Sequence, residues 1–81
     1  MNHHEIRAGV IAALLEIAPE IEADQLVARQ PLRDQVDLDS MDWLNLLIGI
    51  NQRLGVEIPE ADYRKLPTLD ALIGYLAARL A

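Results

Sequence analysis

The sequence predicts an all-α fold, a small four-helix bundle with three longer helices, a short third helix and a long loop between helices one and two. Apolar residues recur at helical spacing in three separate segments. Proline or glycine stands where the first two of these segments end, and no segment has the pattern of a strand. Because the chain has only 81 residues, residues 1–81 are expected to form a single domain.

The first helix is predicted from about Asn2 to Ala18. Asn2 is a good N-cap residue, and Glu5 stands at the reciprocal position of a capping box. Pro19 ends the helix. The apolar face of this helix contains Ile6, Val10, Ala13, Leu14 and Ile17.

Residues 19–38 show no sustained period, which predicts a long loop with one short turn around Asp24 to Ala28. A loop of this length in a small domain is often functional. Isolated apolar residues are expected to anchor it to the helices; they are Ile21, Leu26, Leu32, Val36 and Leu38.

The second helix is predicted from Ser40 to Leu54. Asp39 is a strong N-cap residue, Asp42 gives capping-box spacing, and Gly55 is the expected C-terminal glycine. The central apolar stripe contains Trp43, Leu46, Leu47, Ile50 and Leu54. Met41 and Ile48 lie outside this stripe, so the helix carries more apolar surface than one core contact requires.

An extended link at residues 56–59 leads to a short third helix from Glu60 to about Leu66. Pro67 closes it, and Thr68 can cap a last helix that runs to about Leu80. The last helix has a helical apolar repeat formed by Leu69, Leu72, Ile73, Leu76 and Leu80.

The composition of the chain limits the kinds of partner and location that are expected. Thirteen acidic against seven basic residues give a net charge of −6, which disfavours binding to nucleic acid or to anionic membranes and favours a partner with a basic patch. The apolar fraction of 52% supports a core, which must be mainly aliphatic because the chain has no Phe. The longest early apolar run, 10–15, is too short to span a bilayer, and there is no Cys. A cytoplasmic monomer is expected.

The chain lacks the converging groups that an enzyme needs. It has one serine, no Cys, and only two histidines, His3 and His4, which are adjacent and have no third ligand nearby. The four glycines are isolated, so no phosphate-binding loop is present. Neither catalysis nor a metal site is expected.

The informative motif is residues 37–43, Asp-Leu-Asp-Ser-Met-Asp-Trp. An isolated Asp-Ser before a helix is usually only a cap, because side-chain oxygens there accept hydrogen bonds from free backbone N–H groups. Ser40, however, is the only serine, and it opens a helix after a long loop near the middle of an acidic bundle. This position favours a functional role.

The sequence resembles the acyl carrier protein family. Asp39-Ser40-Met41 matches the carrier signature of Asp-Ser followed by Leu or Met. The match continues through Leu44, Leu47 and Ile50 into residues 54–59, and residues 66–69 (Leu-Pro-Thr-Leu) also fit, so the resemblance covers essentially the whole chain. The sequence departs from the family where Gly is common two residues before the motif, and where Glu is common in the second helix; these positions hold Asp37, Asn45, Asn51 and Gln52.

The resemblance implies that Ser40 accepts 4′-phosphopantetheine from coenzyme A in a reaction run by a separate phosphopantetheinyl transferase. The thiol of this covalent cofactor then carries an acyl group as a thioester, so the protein is a carrier and not an enzyme. Its other expected partners are acyl-loading and acyl-processing enzymes with basic and apolar docking patches. The partner-binding residues are expected to be Asp37, Asp39, Met41, Asp42 and Ile48.

The cargo-lining residues are expected to be Trp43, Leu46, Leu47 and Ile50. Trp43 has two interpretations, as a core residue of the central stripe and as a wall at the mouth of a cargo cavity. Three functions remain open: a free-standing acyl carrier for fatty-acid, polyketide or specialised lipid biosynthesis; a carrier of an amino or aryl acid in a non-ribosomal peptide or tailoring pathway; and an unmodified helical adapter, which would tolerate Ser40→Ala.

Overall fold

The computed structural model describes residues 2–80 and is mainly helical. In chain order its elements are α1 (His3–Ile17), a 3₁₀ turn (Ala23–Gln25), α2 (Leu32–Gln35), α3 (Ser40–Leu54), a 3₁₀ helix (Glu60–Lys65) and α4 (Leu69–Leu80). Within the described residues there is no strand, only an isolated bridge between Pro31 and Thr68. The predicted all-α bundle with three longer helices is confirmed.

The ends of the long helices follow the sequence signals. At α1, the Asn2 side chain accepts a hydrogen bond from the Glu5 N–H at 2.8 Å, and the Glu5 carboxylate accepts one from the Asn2 N–H at 3.4 Å. At α4, the Thr68 hydroxyl accepts from the Ala71 N–H at 3.0 Å. Gly55 ends α3 with a φ of 71°, the left-handed conformation that glycine adopts at little cost.

The segment between α1 and α3 is more ordered than predicted. The expected short turn lies slightly earlier, at Ala23–Gln25, and the one-turn helix α2 was not predicted. Four residues are too few to show a helical period. The Gln35 side chain organises the loop, because it accepts from the Val27 N–H at 2.6 Å and donates to the carbonyls of Val27 (2.8 Å) and Gln30 (3.0 Å).

The core is aliphatic and lies where α1 packs against α3 and α4. α1 and α3 approach closely, since a Cβ atom built on Gly49 would lie 3.2 Å from the Ala13 Cβ. An ion pair between Arg53 and Glu16 joins the same two helices at the surface. The largest fully buried side chains are Ile6, Val10, Leu14, Leu32, Leu46, Ile50, Leu69, Leu72 and Leu76.

Two backbone hydrogen bonds attach the region between α1 and α3 to Pro67 and to the first turn of α4. The Leu32 N–H donates to the Pro67 carbonyl at 2.8 Å, and the Asp70 N–H donates to the Ala28 carbonyl at 3.0 Å. Neither link joins neighbours in sequence. Together they place α2 beside the end of the 3₁₀ helix.

The short third helix of the prediction is the 3₁₀ helix, and Asp62 attaches it to α4. The Tyr75 hydroxyl donates to the Asp62 carboxylate at 2.7 Å, while Lys65 and Arg79 lie 3.4 and 3.6 Å from its oxygens. The hydrogen bond from Tyr75, helped by the two cations, lowers the pKa of Asp62 below its ordinary 3.8. The same hydrogen bond raises the pKa of Tyr75 above 10.0.

Candidate functional site

Ser40 is the first residue of α3, and its side chain is exposed. A capping box holds this helix start: Asp39 Oδ1 accepts from the Asp42 N–H at 2.8 Å, and Asp42 Oδ2 accepts from the Asp39 N–H at 3.4 Å. The Ser40 hydroxyl makes no hydrogen bond to another described residue. The hydroxyl is therefore accessible from outside and stands on a helix start that the capping box holds in place.

A groove of about 590 Å³ lies beside Ser40, bordered by the first turns of α3, by α2 and by the 3₁₀ helix. Its apolar wall is formed by Pro31, Met41, Trp43, Leu44, Tyr63 and Pro67. Ligand pockets in proteins commonly have volumes of roughly 300–1,000 Å³. The groove is thus large enough for a small ligand, and the serine lies at its edge.

The four predicted cargo-lining residues lie in different surroundings. Trp43 fits both of its interpretations, because it belongs to the core, with 8% of its surface exposed, and also lines the groove. Leu47 lines a separate depression of about 150 Å³ on the same side of α3 as Ile48. Leu46 and Ile50 are 0% exposed in the core and line neither space. Contact of cargo with these two residues would require the helices to separate.

The predicted partner residues lie just before Ser40 and along α3 as far as Ile48. Asp37 and Asp39 are exposed, and Asp42 is partly exposed. Met41 and Ile48 are 64% and 46% exposed.

Leu44, 38% exposed, lies between Met41 and Ile48 on the same helix face. These three side chains form what we call the exposed apolar stripe. The sequence analysis did not assign Leu44 to the partner surface, although its spacing of three and four residues from the other two was a usable signal.

Two cations at the groove were also not found from sequence. Arg33 of α2 and Arg64 of the 3₁₀ helix both line it, together with one acidic residue, Glu60. Arg33 Nε donates to the Leu38 carbonyl at 3.3 Å, just before the start of α3. No local pattern predicts that residues so distant in sequence share a groove, because tertiary hydrogen bonds bring their segments together.

Between residues 2 and 80, no helix is both long and apolar enough to cross a membrane. Across the same residues, no three His, Cys, Asp or Glu side chains are grouped so that they could hold a metal ion.

Comparison with known families and proteins shows similarity to carrier proteins. The family described as "Phosphopantetheine attachment site" matches residues 8–76. The acyl carrier protein of Renibacterium salmoninarum is 27% identical over 84 residues, with 99% of this chain and 98% of the relative covered. The meromycolate extension acyl carrier protein of Mycobacterium tuberculosis is 28% identical over 76 residues, with 94% of this chain covered; the chain spans 65% of that relative's length.

Solved structures show the same similarity. A solution structure assigned as an acyl carrier protein from Anaplasma phagocytophilum superposes with a TM-score of 0.84 at 27% identity, covering 100% of this chain and 94% of the other. The acyl carrier protein from Enterococcus faecalis gives a TM-score of 0.75 at 25% identity, covering 96% and 98%. The family match covers most of the chain, and the fold is the same as that of the solved carrier proteins. The chain therefore belongs to the acyl carrier protein family of phosphopantetheine-binding proteins.

Proposed function

We propose that Ser40 is the attachment site of 4′-phosphopantetheine and that residues 1–81 act as one free-standing carrier domain. Members of the family are carriers and not enzymes, and they hold acyl groups on a covalently attached 4′-phosphopantetheine. The observation that carries the assignment is the Ser40 hydroxyl, which is exposed, makes no hydrogen bond to another described residue and stands on a capped helix beside an apolar groove.

The residues around Ser40 fit this cofactor. The arm would leave the serine where a groove wide enough for a small ligand begins, and the aromatic and aliphatic walls suit its uncharged portion. The cofactor supplies a thiol for thioester chemistry. The chain itself contributes a fixed attachment point, because the Asp39–Asp42 capping box holds the first turn of α3 in place.

The partner surface that we propose consists of the exposed apolar stripe and the acidic residues before and within the first turn of α3. A protein–protein interface usually has apolar side chains at its centre and polar or charged side chains at its rim. A phosphopantetheinyl transferase and acyl-processing enzymes would then offer Arg or Lys beside an apolar patch. A cytoplasmic location remains part of this proposal.

For the pathway, we propose the synthesis of fatty acids, polyketides or specialised lipids. The support comes from relatives named as acyl carrier proteins and from one named for meromycolate extension. Mass spectrometry of the cargo on protein isolated from its own cells would test this directly. An amino or aryl acid found on the arm would contradict it.

The test of the attachment site is the intact mass after incubation with coenzyme A and a broad-specificity transferase. We expect one phosphopantetheine per chain, located on Ser40 by peptide mapping, and none on Ser40→Ala. Circular dichroism must show that Ser40→Ala is folded, and Asn45→Ala, which alters an exposed residue of the same helix, is the matched control. An unmodified wild-type chain beside a modified control carrier would refute the proposal.

A further inference from the structure

We propose that Arg33 and Arg64 form a binding site for the phosphodiester of the phosphopantetheine arm and thereby hold the arm in the groove beside Ser40. This inference rests on the proposed attachment at Ser40. It adds an anion site made of two residues that neither the family match nor the names of the relatives assign.

The two arginines lie on segments that the fold holds together. Arg33 follows Leu32, whose N–H donates to the Pro67 carbonyl at 2.8 Å, and Arg64 precedes Pro67 by three residues. Both arginines and Ser40 line the same groove. A group attached to Ser40 is therefore placed in a space that already has two cationic side chains.

The guanidinium groups retain free donors. Arg33 uses Nε for the Leu38 carbonyl, at 3.3 Å, and its terminal nitrogens make no hydrogen bond to the described residues. Arg64 has no ion pair within residues 2–80, whereas Arg53 pairs with Glu16, and Lys65 pairs with Asp62. Arginine is well suited to phosphate, because its planar fork can donate two parallel hydrogen bonds.

The charge around Ser40 favours a cationic site for a bound arm. Asp39 and Asp42 flank the serine, and the chain as a whole carries a net charge of −6, so a phosphodiester meets repulsion there. The charge of the groove has the opposite sign, because Arg33 and Arg64 line it together with a single acidic residue, Glu60. Charge complementarity thus directs the phosphodiester toward the groove and away from the acidic face.

The experiment compares the Ser40-modified protein, verified by intact mass, with Arg33→Gln, Arg64→Gln and the double variant. Arg29→Gln is the matched control, because Arg29 is exposed but does not line the groove. The ³¹P resonance of the arm reports on the phosphodiester directly. The rate at which the thiol reacts with a small disulfide reagent reports on confinement of the arm, and the fluorescence of Trp43, the only tryptophan, reports on the groove wall.

We expect the double variant to shift the ³¹P resonance and to raise the thiol rate about threefold at low salt, in keeping with two exposed ion pairs. Arg29→Gln should match the wild type. Added salt should bring the wild-type rate toward that of the double variant, because exposed charges are screened. Because Arg33 also supports the loop through Leu38, Arg64→Gln, which removes no observed hydrogen bond, keeps the test independent of folding.

Modified variants whose ³¹P resonance and thiol rate equal those of the wild type would overturn the inference while the proposed function stands. Occupation of the groove only after an acyl group is loaded would overturn it as well. A wild-type chain that takes up no phosphopantetheine would refute the proposed function and with it this site; the intact mass separates that outcome from the others.

Discussion

Asp39 and Asp42 combine two roles at the start of α3. Their carboxylates accept the two hydrogen bonds of the capping box and also supply negative charge beside Ser40. Loss of such a cap costs about 0.5–2 kcal/mol of stability. Reversing either charge would therefore disturb the helix turn that carries Ser40 as well as the proposed partner surface. Asp37 is exposed and makes no hydrogen bond to the described residues, so its charge can be changed alone.

We predict that Asp37→Lys slows modification of Ser40 by the transferase about two- to fivefold at low salt and leaves the melting temperature unchanged, because exposed charges mainly alter association rates. Initial rates over a salt series measure this. The control is Asp24→Lys, which changes an exposed carboxylate of the first loop that borders neither the groove nor the depression beside Ile48. Equal slowing by both variants would show that only the net charge matters.

At the scale of the helices, the glycines differ in what they contribute. Gly74 lies exposed inside α4, and a Cβ atom there would meet nothing within 4 Å. Gly55 also has free space around it, but its φ of 71° ends α3 in a conformation that L-residues disfavour. The first glycine is thus replaceable and the second is not.

We predict that Gly74→Ala raises the free energy of unfolding by about 0.5–1 kcal/mol, since glycine inside a helix is less favourable than alanine. Gly55→Ala should lower it by about 1–2 kcal/mol through left-handed strain. Urea unfolding measures both, and the pair serves as its own control because the chemical change is identical. A change of the same sign at both positions would contradict the argument.

None of the residues of the 3₁₀ helix is fully buried, and Asp62 attaches this helix to α4. The pKa of Asp62 is lowered from 3.8, mainly by the hydrogen bond from Tyr75, so its charged form stabilises the folded state. That contribution is present above about pH 4 and is lost as the pH falls below 3.8 through the folded-state pKa.

We therefore predict that Asp62→Asn lowers the melting temperature near pH 7 and that the difference from the wild type shrinks below pH 4. Thermal unfolding at a series of pH values measures this. Asp70→Asn, which changes an exposed carboxylate on α4, is the control and should follow the wild type more closely. A difference that is constant from pH 7 to pH 3 would exclude Asp62 as the titrating group.

At the scale of the whole molecule, the side chains of the bundle are fully buried on one side and only partly buried on the other. α1, α3 and α4 share the fully buried aliphatic core, whereas the 3₁₀ helix contributes only partly buried side chains such as Tyr63. Moving the 3₁₀ helix costs less than separating α1 from α3. The groove lies on this less buried side, between α3 and the 3₁₀ helix.

We predict that a medium-length acyl chain on the arm inserts between α3 and the 3₁₀ helix and raises the melting temperature, because each buried methylene contributes about 0.8 kcal/mol. An acetyl group is the matched short control and should have little effect. Melting curves, together with Trp43 fluorescence, distinguish insertion from a chain left on the surface. If neither signal changes on acylation, the cargo is not buried, although the carrier assignment stands.

The sequence by itself determined the parts whose causes are local. Capping residues, terminal glycine and helical apolar spacing predicted the long helices, and the lone serine after Asp39 predicted the site. These signals act within a few residues, so they can be read from the chain without its fold.

Features that depend on contacts between residues distant in sequence could be found only from the tertiary structure. The hydrogen bonds of Gln35 hold the loop before the short α2, and the bond from Leu32 to Pro67 holds together the segments that carry Arg33 and Arg64. The tertiary structure also placed the predicted cargo residues differently: Leu46 and Ile50 lie only in the core, whereas Trp43 also lines the groove. The physical reason is that a helical period assigns a residue to a face, whereas burial depends on which other element covers that face.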